Sequence, residues 1–182
     1  ASLCFPSDLG LEIEGVEDGN TYLENARKKA LAFASASGLF TLADDSGLEV
    51  DALDGAPGIR SARYAPGHDR DRVEVLLSHL AGVPWAKRTA RFRCLVVAIA
   101  PAGEISSAEG VCEGVIALKP EGQGGFGYDP VFFLPEHGCT MAQLSSDVKN
   151  RISHRARAVP AAMSSSKALF VVNYLSPSKR TC

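Results

Sequence analysis

One stretch constrains the fold more than any other: Leu39 to Asp51, LFTLADDSGLEVD. The apolar run Leu39-Phe40-Thr41-Leu42-Ala43 predicts a short buried strand. It ends in Asp44-Asp45-Ser46-Gly47, and Leu48, Val50 and Ala52 then alternate with Glu49, Asp51 and Leu53, which predicts a second, less regular strand. Two adjacent carboxylates at a strand end each raise the cost of ionising the other, so water or a cation must compensate. A hard divalent ion such as Mg²⁺ takes oxygen ligands and then holds phosphates. A plain turn accounts for the same residues, because Asp, Ser and Gly are turn formers. From this stretch alone the two readings stand level.

The remaining chain supplies elements to surround such a strand. Thr21 to Ser37 reads as a helix, with Thr21-x-x-Glu24 as a capping box and Gly38 as its stop. Leu23, Ala26, Ala30, Phe33 and Ala34 form its apolar face, with Arg27, Lys28 and Lys29 placed elsewhere. Asp69 to Ala81 reads as a second helix, N-capped by Asp69, with Val73, Leu76, Leu77 and Leu80 as its stripe. Thr89 to Ala100 becomes continuously apolar, as a central strand does, and the turn Pro101-Ala102-Gly103 leads into a strand from Glu104 to Leu118, giving a hairpin. Thr140-x-x-Gln143 is a second capping box opening a helix, and Pro160 must stop or kink any helix near it. The run Ala168 to Leu175 adds a strand or a short helix. Interleaved strands, helices and hairpins predict a mixed α/β fold around one twisted sheet.

The 182 residues suit one domain, with room for two lobes. A net charge of -2 gives no sign of a nucleic-acid surface, and no apolar run is long enough to cross a bilayer. The first residues lack the charged start and apolar core of a signal peptide. Five scattered cysteines without a CxxC pair argue against a disulfide framework or zinc site and for a reducing, cytoplasmic setting.

Two further stretches carry chemistry. Gly122-Gln123-Gly124-Gly125-Phe126-Gly127-Tyr128-Asp129-Pro130 is a glycine-dense loop whose amides can approach an anion or a flat ring, and Phe126 and Tyr128 could stack on a base. It is not a Walker A loop, since it lacks the GK[ST] ending. Lys149 to Arg155 gathers three cations and His154, and on one helix Arg151 and Arg155 would share a face. Arg60 and Arg63 are phosphate candidates or plain surface residues.

Thr21-Tyr22-Leu23-Glu24-Asn25-Ala26, Ala43-Asp44-Asp45-Ser46-Gly47-Leu48, Ala56-Pro57-Gly58 with Ser61-Ala62-Arg63-Tyr64, Gly124-Gly125-Phe126-Gly127-Tyr128-Asp129-Pro130 and Ile152-Ser153-His154-Arg155 together resemble the inosine/xanthosine triphosphate pyrophosphatases. The motifs occur in that family's order across roughly residues 7 to 158. The resemblance implies a two-lobed α/β fold with a cleft, a homodimer, and Mg²⁺-dependent hydrolysis of non-standard purine triphosphates such as ITP, dITP and XTP to the monophosphate and pyrophosphate, a house-cleaning of the nucleotide pool. It implies Asp45 as general base and metal ligand, with Glu17, or failing that Glu24, as second ligand. It implies Ser46, Phe126, Gly127, Tyr128, Asp129, Lys149, His154 and Arg155 as substrate contacts. Selecting a 6-oxo purine over adenine needs donors aimed at a carbonyl oxygen, which a loop amide, Lys149 or Arg155 can supply. The family's opening strand and Ser/Thr-x-Asn-x-x-Lys phosphate loop find no match in the first 24 residues. The expectation is therefore a single domain over residues 1–182 without that loop, and the alternative reading is a truncated, catalytically impaired nucleotide-binding relative.

Overall fold

The computed structural model describes residues 3–11, 13, 17–163 and 170–173, and all that follows is said of these. In chain order the elements are β1 (Leu3–Cys4), α1 (Tyr22–Ser37), β2 (Phe40–Val50), α2 (Asp69–His79), β3 (Thr89–Ile99), β4 (Ile105–Ile116), β5 (Phe132–Leu134), β6 (Cys139–Thr140), α3 (Ser146–Ile152), α4 (His154–Met163) and β7 (Phe170–Asn173). The fold is mixed α/β, as expected. The hydrogen-bonded strand order is β1-β7-β2-β3-β4-β5-β6. β7 runs parallel to both β1 and β2, with Phe170 opposite Leu3 and Phe40, whereas β5 runs antiparallel to β4 and β6. The run expected to give a strand or a short helix near the C-terminus is thus a strand, β7. The chain divides into two compact units. Of the described residues, one unit takes those up to Ser46, Cys94–Gly110 and those from Arg155 onward, the other Gly47–Arg93 and Val111–His154.

In the first unit, strand alternation sorts side chains between two helices. Phe40 and Leu42 of β2, with Cys94, Val96 and Ala98 of β3, pack with Ala158 and Ala162 of α4. Ala43 of β2, with Val97 and Ile99 of β3, packs with Ala26 and Ala30 of α1. The small alanines on both helices allow this close contact with the sheet. Helix α1 begins as its sequence predicts: the Thr21 hydroxyl accepts the Glu24 N–H at 3.1 Å, and Gly38 ends it in the left-handed region at φ 65°. Its buried face differs from the expected one, because Leu23 is 45% exposed while Asn25 and Lys29 are buried. Helix α4 passes through Pro160 and ends three residues later, at Met163.

In the second unit, Leu48 and Val50 of β2, Val73 and Leu76 of α2, Leu80 just beyond it, Phe92, Ile116, Val131 and Phe132 belong to the core. His68, not Asp69, precedes the first turn of α2; its N–H donates to the Asp71 carboxylate at 2.6 Å. The box at Thr140 caps only a single tight turn, Met141–Gln143, and a fresh cap at Ser145 opens α3. Ser153 is extended, at ψ 157°, so the run expected as one helix is split between α3 and α4, and Arg151 and Arg155 share no face.

Candidate active site

The stretch expected as strand, turn and strand is one continuous eleven-residue strand, β2. The aspartates therefore sit within a strand, and its alternation sends them to opposite faces. Asp44 continues the Phe40–Leu42 face toward α4, and its Oδ2 accepts from Arg155 Nε at 2.9 Å and from Ser46 Oγ at 2.8 Å. Burial opposes its charge, yet Arg155, the Ser46 hydrogen bond and Lys29 outweigh it and hold the carboxyl below its ordinary value. Cys94 Sγ lies 3.6 Å from the same oxygen, and burial with the Asp44 charge pushes this thiol up to about 12.

Asp45 continues the Ala43 face toward α1. Asn25 Nδ2 donates to its Oδ2 at 3.1 Å, and Lys29 Nζ lies 3.3 Å from its Oδ1. The same ammonium meets Glu17 Oε1 at 3.0 Å. Asp45 is raised above its ordinary value, first by burial and further by the Glu17 charge, against the pull of Lys29 and Asn25. Burial works against the charged form of Lys29, but Asp45 and Glu17 together hold its pKa above the usual lysine value. Asn25 and Lys29 are the partners of Asp45 that the sequence reading did not single out. Their signal is in the sequence: they are one helical turn apart, and each immediately precedes an alanine of the apolar face, Ala26 or Ala30.

Glu17 and Asp45, the expected metal ligands, converge on the Lys29 ammonium. Two carboxylates with hard oxygens around one cation position are the donor set that Mg²⁺ takes from a protein when substrate phosphates and water complete its shell. Among the described residues, no group of three or more His, Cys, Asp or Glu is arranged to hold a metal. Glu24 does not join this group, because its carboxylate accepts the Asn20 N–H at 2.7 Å.

The second unit holds the glycine-rich loop. Phe126 is 38% exposed, and the Lys149 ammonium stands 5.1 Å from its ring centroid while pairing with Asp129. Gly125, at φ 80°, has no room for a side chain: a Cβ there would strike the Asp129 carboxylate and the Lys149 ammonium. Tyr128 departs from its expected role. Its ring is buried in the core and its hydroxyl donates to the Ser61 carbonyl at 2.9 Å, so it braces the loop and offers no face for stacking. Burial raises its phenol well above the ordinary value. The loop amides expected to meet a carbonyl are engaged too: the Phe126 N–H donates to Asp129 Oδ2 at 2.9 Å and the Gly127 N–H to Asp69 Oδ2 at 2.6 Å. His154 is buried, its ring stacked on Phe92 at 5.0 Å. Arg60 and Arg63 lie exposed on the turn Gly58–Arg63.

The Ham1 family model matches residues 5–165 of the chain. The dITP/XTP pyrophosphatase of Desulforamulus reducens is 54% identical over 85% of this chain and 78% of its own length. That of Bacillus subtilis is 47% identical over 84% of this chain and 78% of its own. Among solved structures, the Staphylococcus aureus Ham1 protein superposes with a TM-score of 0.78 at 41% identity, covering 86% of this chain and 81% of that one. A nucleoside-triphosphatase / dITP/XTP pyrophosphatase from Mycobacterium abscessus gives a TM-score of 0.72 at 38% identity, covering 87% and 85%.

Proposed function

The chain belongs to the Ham1 family, and on that premise we propose that it hydrolyses non-standard purine nucleoside triphosphates (dITP, XTP and ITP) to the monophosphate and pyrophosphate. It is a nucleoside triphosphate pyrophosphatase acting on the nucleotide pool. The observation that carries the assignment of roles is the split of the aspartate pair. Asp44 is consumed by Arg155 and Ser46, whereas Asp45 sits among Asn25, Lys29 and Glu17, groups suited to a triphosphate and its counterion.

Asp45 is the general base in this reading and takes a proton from the water that attacks the α-phosphorus. Asp45 and Glu17 would hold Mg²⁺, which supplies charge neutralisation at the phosphate oxygens. The Lys29 ammonium, released from the carboxylates it now joins, is placed to pair with phosphate oxygens. Asn25 orients the Asp45 carboxylate through its amide hydrogen bond. Ser46 and Arg155 hold the Asp44 carboxylate on the opposite face of the strand.

The loop of the second unit carries groups suited to a purine base. The exposed Phe126 ring offers a stacking face, and Lys149, steadied by Asp129, offers a donor for a 6-oxo group. Adenine, with an amino group there, leaves that donor unpaired, and such mismatches discriminate strongly. Gly127 and Tyr128 shape the loop, and His154 stacks on Phe92 in the same unit.

The protein works in the cytoplasm as a homodimer in this reading. The cysteines Cys4, Cys94, Cys112 and Cys139 are free thiols, which suits a reducing compartment. No helix among the described residues is long and apolar enough to cross a membrane. The experiment that tests the function is pyrophosphate release from dITP, XTP and ITP, with ATP and GTP as controls, with and without Mg²⁺. Mg²⁺-dependent release from the first three and little from the controls is expected. Equal release from ATP, or none from any nucleotide by the folded protein, refutes it.

A further inference from the structure

The geometry points to Asp69 as a positioning residue for base recognition, acting through the backbone of Gly127. Asp69 is the first residue of α2, where a carboxylate ordinarily serves its own helix's free amides. That duty is discharged by Asp71, whose carboxylate accepts the His68 N–H at 2.6 Å. Asp69 reaches beyond its helix, and its Oδ2 accepts the Gly127 N–H at 2.6 Å across 58 residues of chain. Its other oxygen pairs with Arg72, which also donates to the Gly67 carbonyl at 3.0 Å, so the carboxylate is gripped from both sides. A charged acceptor on a backbone amide is about twice as strong as a neutral one.

The position of this contact gives it its consequence. Gly127 is in the left-handed region at φ 59°, between the exposed Phe126 and the buried Tyr128. Other restraints on the loop include Asp129 on the Phe126 N–H, the Ala142 carbonyl on the Gly124 N–H at 3.1 Å and the Ser61 carbonyl under the Tyr128 hydroxyl. The peptide joining Phe126 to Gly127 is held at both ends, its N–H by Asp69 at 2.6 Å and its carbonyl by the Asp129 N–H at 3.2 Å, and the charged Asp69 contact is the shorter of the two. Without Asp69 this glycine peptide keeps only the longer of its two contacts and gains rotational freedom, which loosens the backbone that carries the Phe126 ring. Asp69 therefore fixes the direction of the stacking face before a nucleotide arrives, which lowers the ordering cost of binding.

This inference rests on Phe126 being the base-stacking residue of the proposed enzyme, and it is tested with Asp69→Ala and Asp69→Asn in the full chain. The Asp69 side chain is 35% exposed, so truncation leaves the core untouched. Asp69→Ala is expected to raise KM for dITP about tenfold or more, with kcat within about threefold of wild type, as loss of a charged hydrogen bond that orders a binding surface requires. Asp69→Asn restores most of the loss, because its carboxamide oxygen accepts the same N–H. Amide hydrogen exchange at Gly127, measured without nucleotide, is faster in Asp69→Ala and near wild type in Asp69→Asn. An unchanged KM in Asp69→Ala, a loss carried by kcat alone, or Asp69→Asn behaving like Asp69→Ala overturns the inference. If wild type releases no pyrophosphate from dITP, the functional reading fails, and Gly127 exchange still decides whether Asp69 holds the loop.

Discussion

Replacing Lys29 by methionine tests the central claim about the first unit, that two carboxylates are kept together by one buried cation. The Lys29 side chain is 4% exposed and meets Glu17 at 3.0 Å and Asp45 at 3.3 Å, themselves 24% and 10% exposed. Methionine fills nearly the same volume, so the change removes charge with little packing loss. It leaves two carboxylates facing each other, one held by Asn25. Removing one partner of a buried pair costs about 3–5 kcal/mol, and partial exposure of Glu17 brings the expected loss to about 2–4 kcal/mol. For a chain of this size that is a fall in Tm of about 5–15 °C. Thermal and urea denaturation measure it. Adding Asp45→Asn to Lys29→Met should recover much of the loss, because the two residues are coupled and the double variant buries no orphaned Asp45 charge. A Lys29→Met protein melting within about 2 °C of wild type, or a double variant whose loss equals the sum of the singles, refutes the reasoning.

Asp45→Asn alone should abolish pyrophosphate release while leaving the protein folded at neutral pH. Burial raises the Asp45 pKa, so its favourable contribution is present below the ordinary value of 3.8 and is lost as pH rises through the folded value. Wild type should therefore lose ground to Asp45→Asn between acid and neutral pH, and a pH series of melting temperatures showing the opposite trend refutes this. Ser61→Ala removes the acceptor of the buried Leu48 N–H, 2.8 Å away, and should cost about 1–3 kcal/mol in urea denaturation. Phe126→Ala should raise KM about tenfold or more with kcat little changed, as loss of a stacking face requires, and steady-state kinetics with XTP will show it. Chelation of Mg²⁺ by EDTA should stop turnover and leave the melting temperature of the nucleotide-free protein unchanged.

Much of the fold is visible in local chemistry. Thr21 and Gly38 bound α1 because a hydroxyl acceptor and a left-handed glycine are helix termini in their own right. The apolar run of β3 and the turn before β4 follow from composition alone. What the sequence hides is set by partners distant in the chain. The Asp-Asp-Ser-Gly run has the composition of a turn, yet it stays extended inside β2, because Asp44 meets Arg155 and Asp45 meets Asn25 and Lys29. Lys29 was placed outward by helical periodicity, and the reason for its burial lies in a strand and a loop. Tyr128 has the look of a stacking residue in a glycine-rich loop, but its hydroxyl has a carbonyl acceptor inside the core, at Ser61. Asp69 reads as an ordinary helix cap, and only the tertiary fold shows its carboxylate on Gly127.

The adjacent aspartates pose an electrostatic question that the strand answers. Side by side at a turn, each would resist the ionisation of the other. Within a strand their carboxylates leave on opposite faces, and each meets a cation from a different helix, Arg155 from α4 or Lys29 from α1. The chief influence on Asp45 is then burial, and the neighbouring charge that raises it is Glu17. Asp44 is held ionised by its own partners and adds its charge to the hold on Lys29. One carboxylate is thereby fixed as a structural anion, while the other, a single residue away, is left raised and close to a cation it shares. A strand thus gives two neighbouring residues of identical chemistry different environments, and a helical or turn arrangement would deny them that separation. Asp44→Asn should accordingly loosen α4 through Arg155 without reproducing the behaviour of Asp45→Asn, even though the two changes differ by one position in the chain.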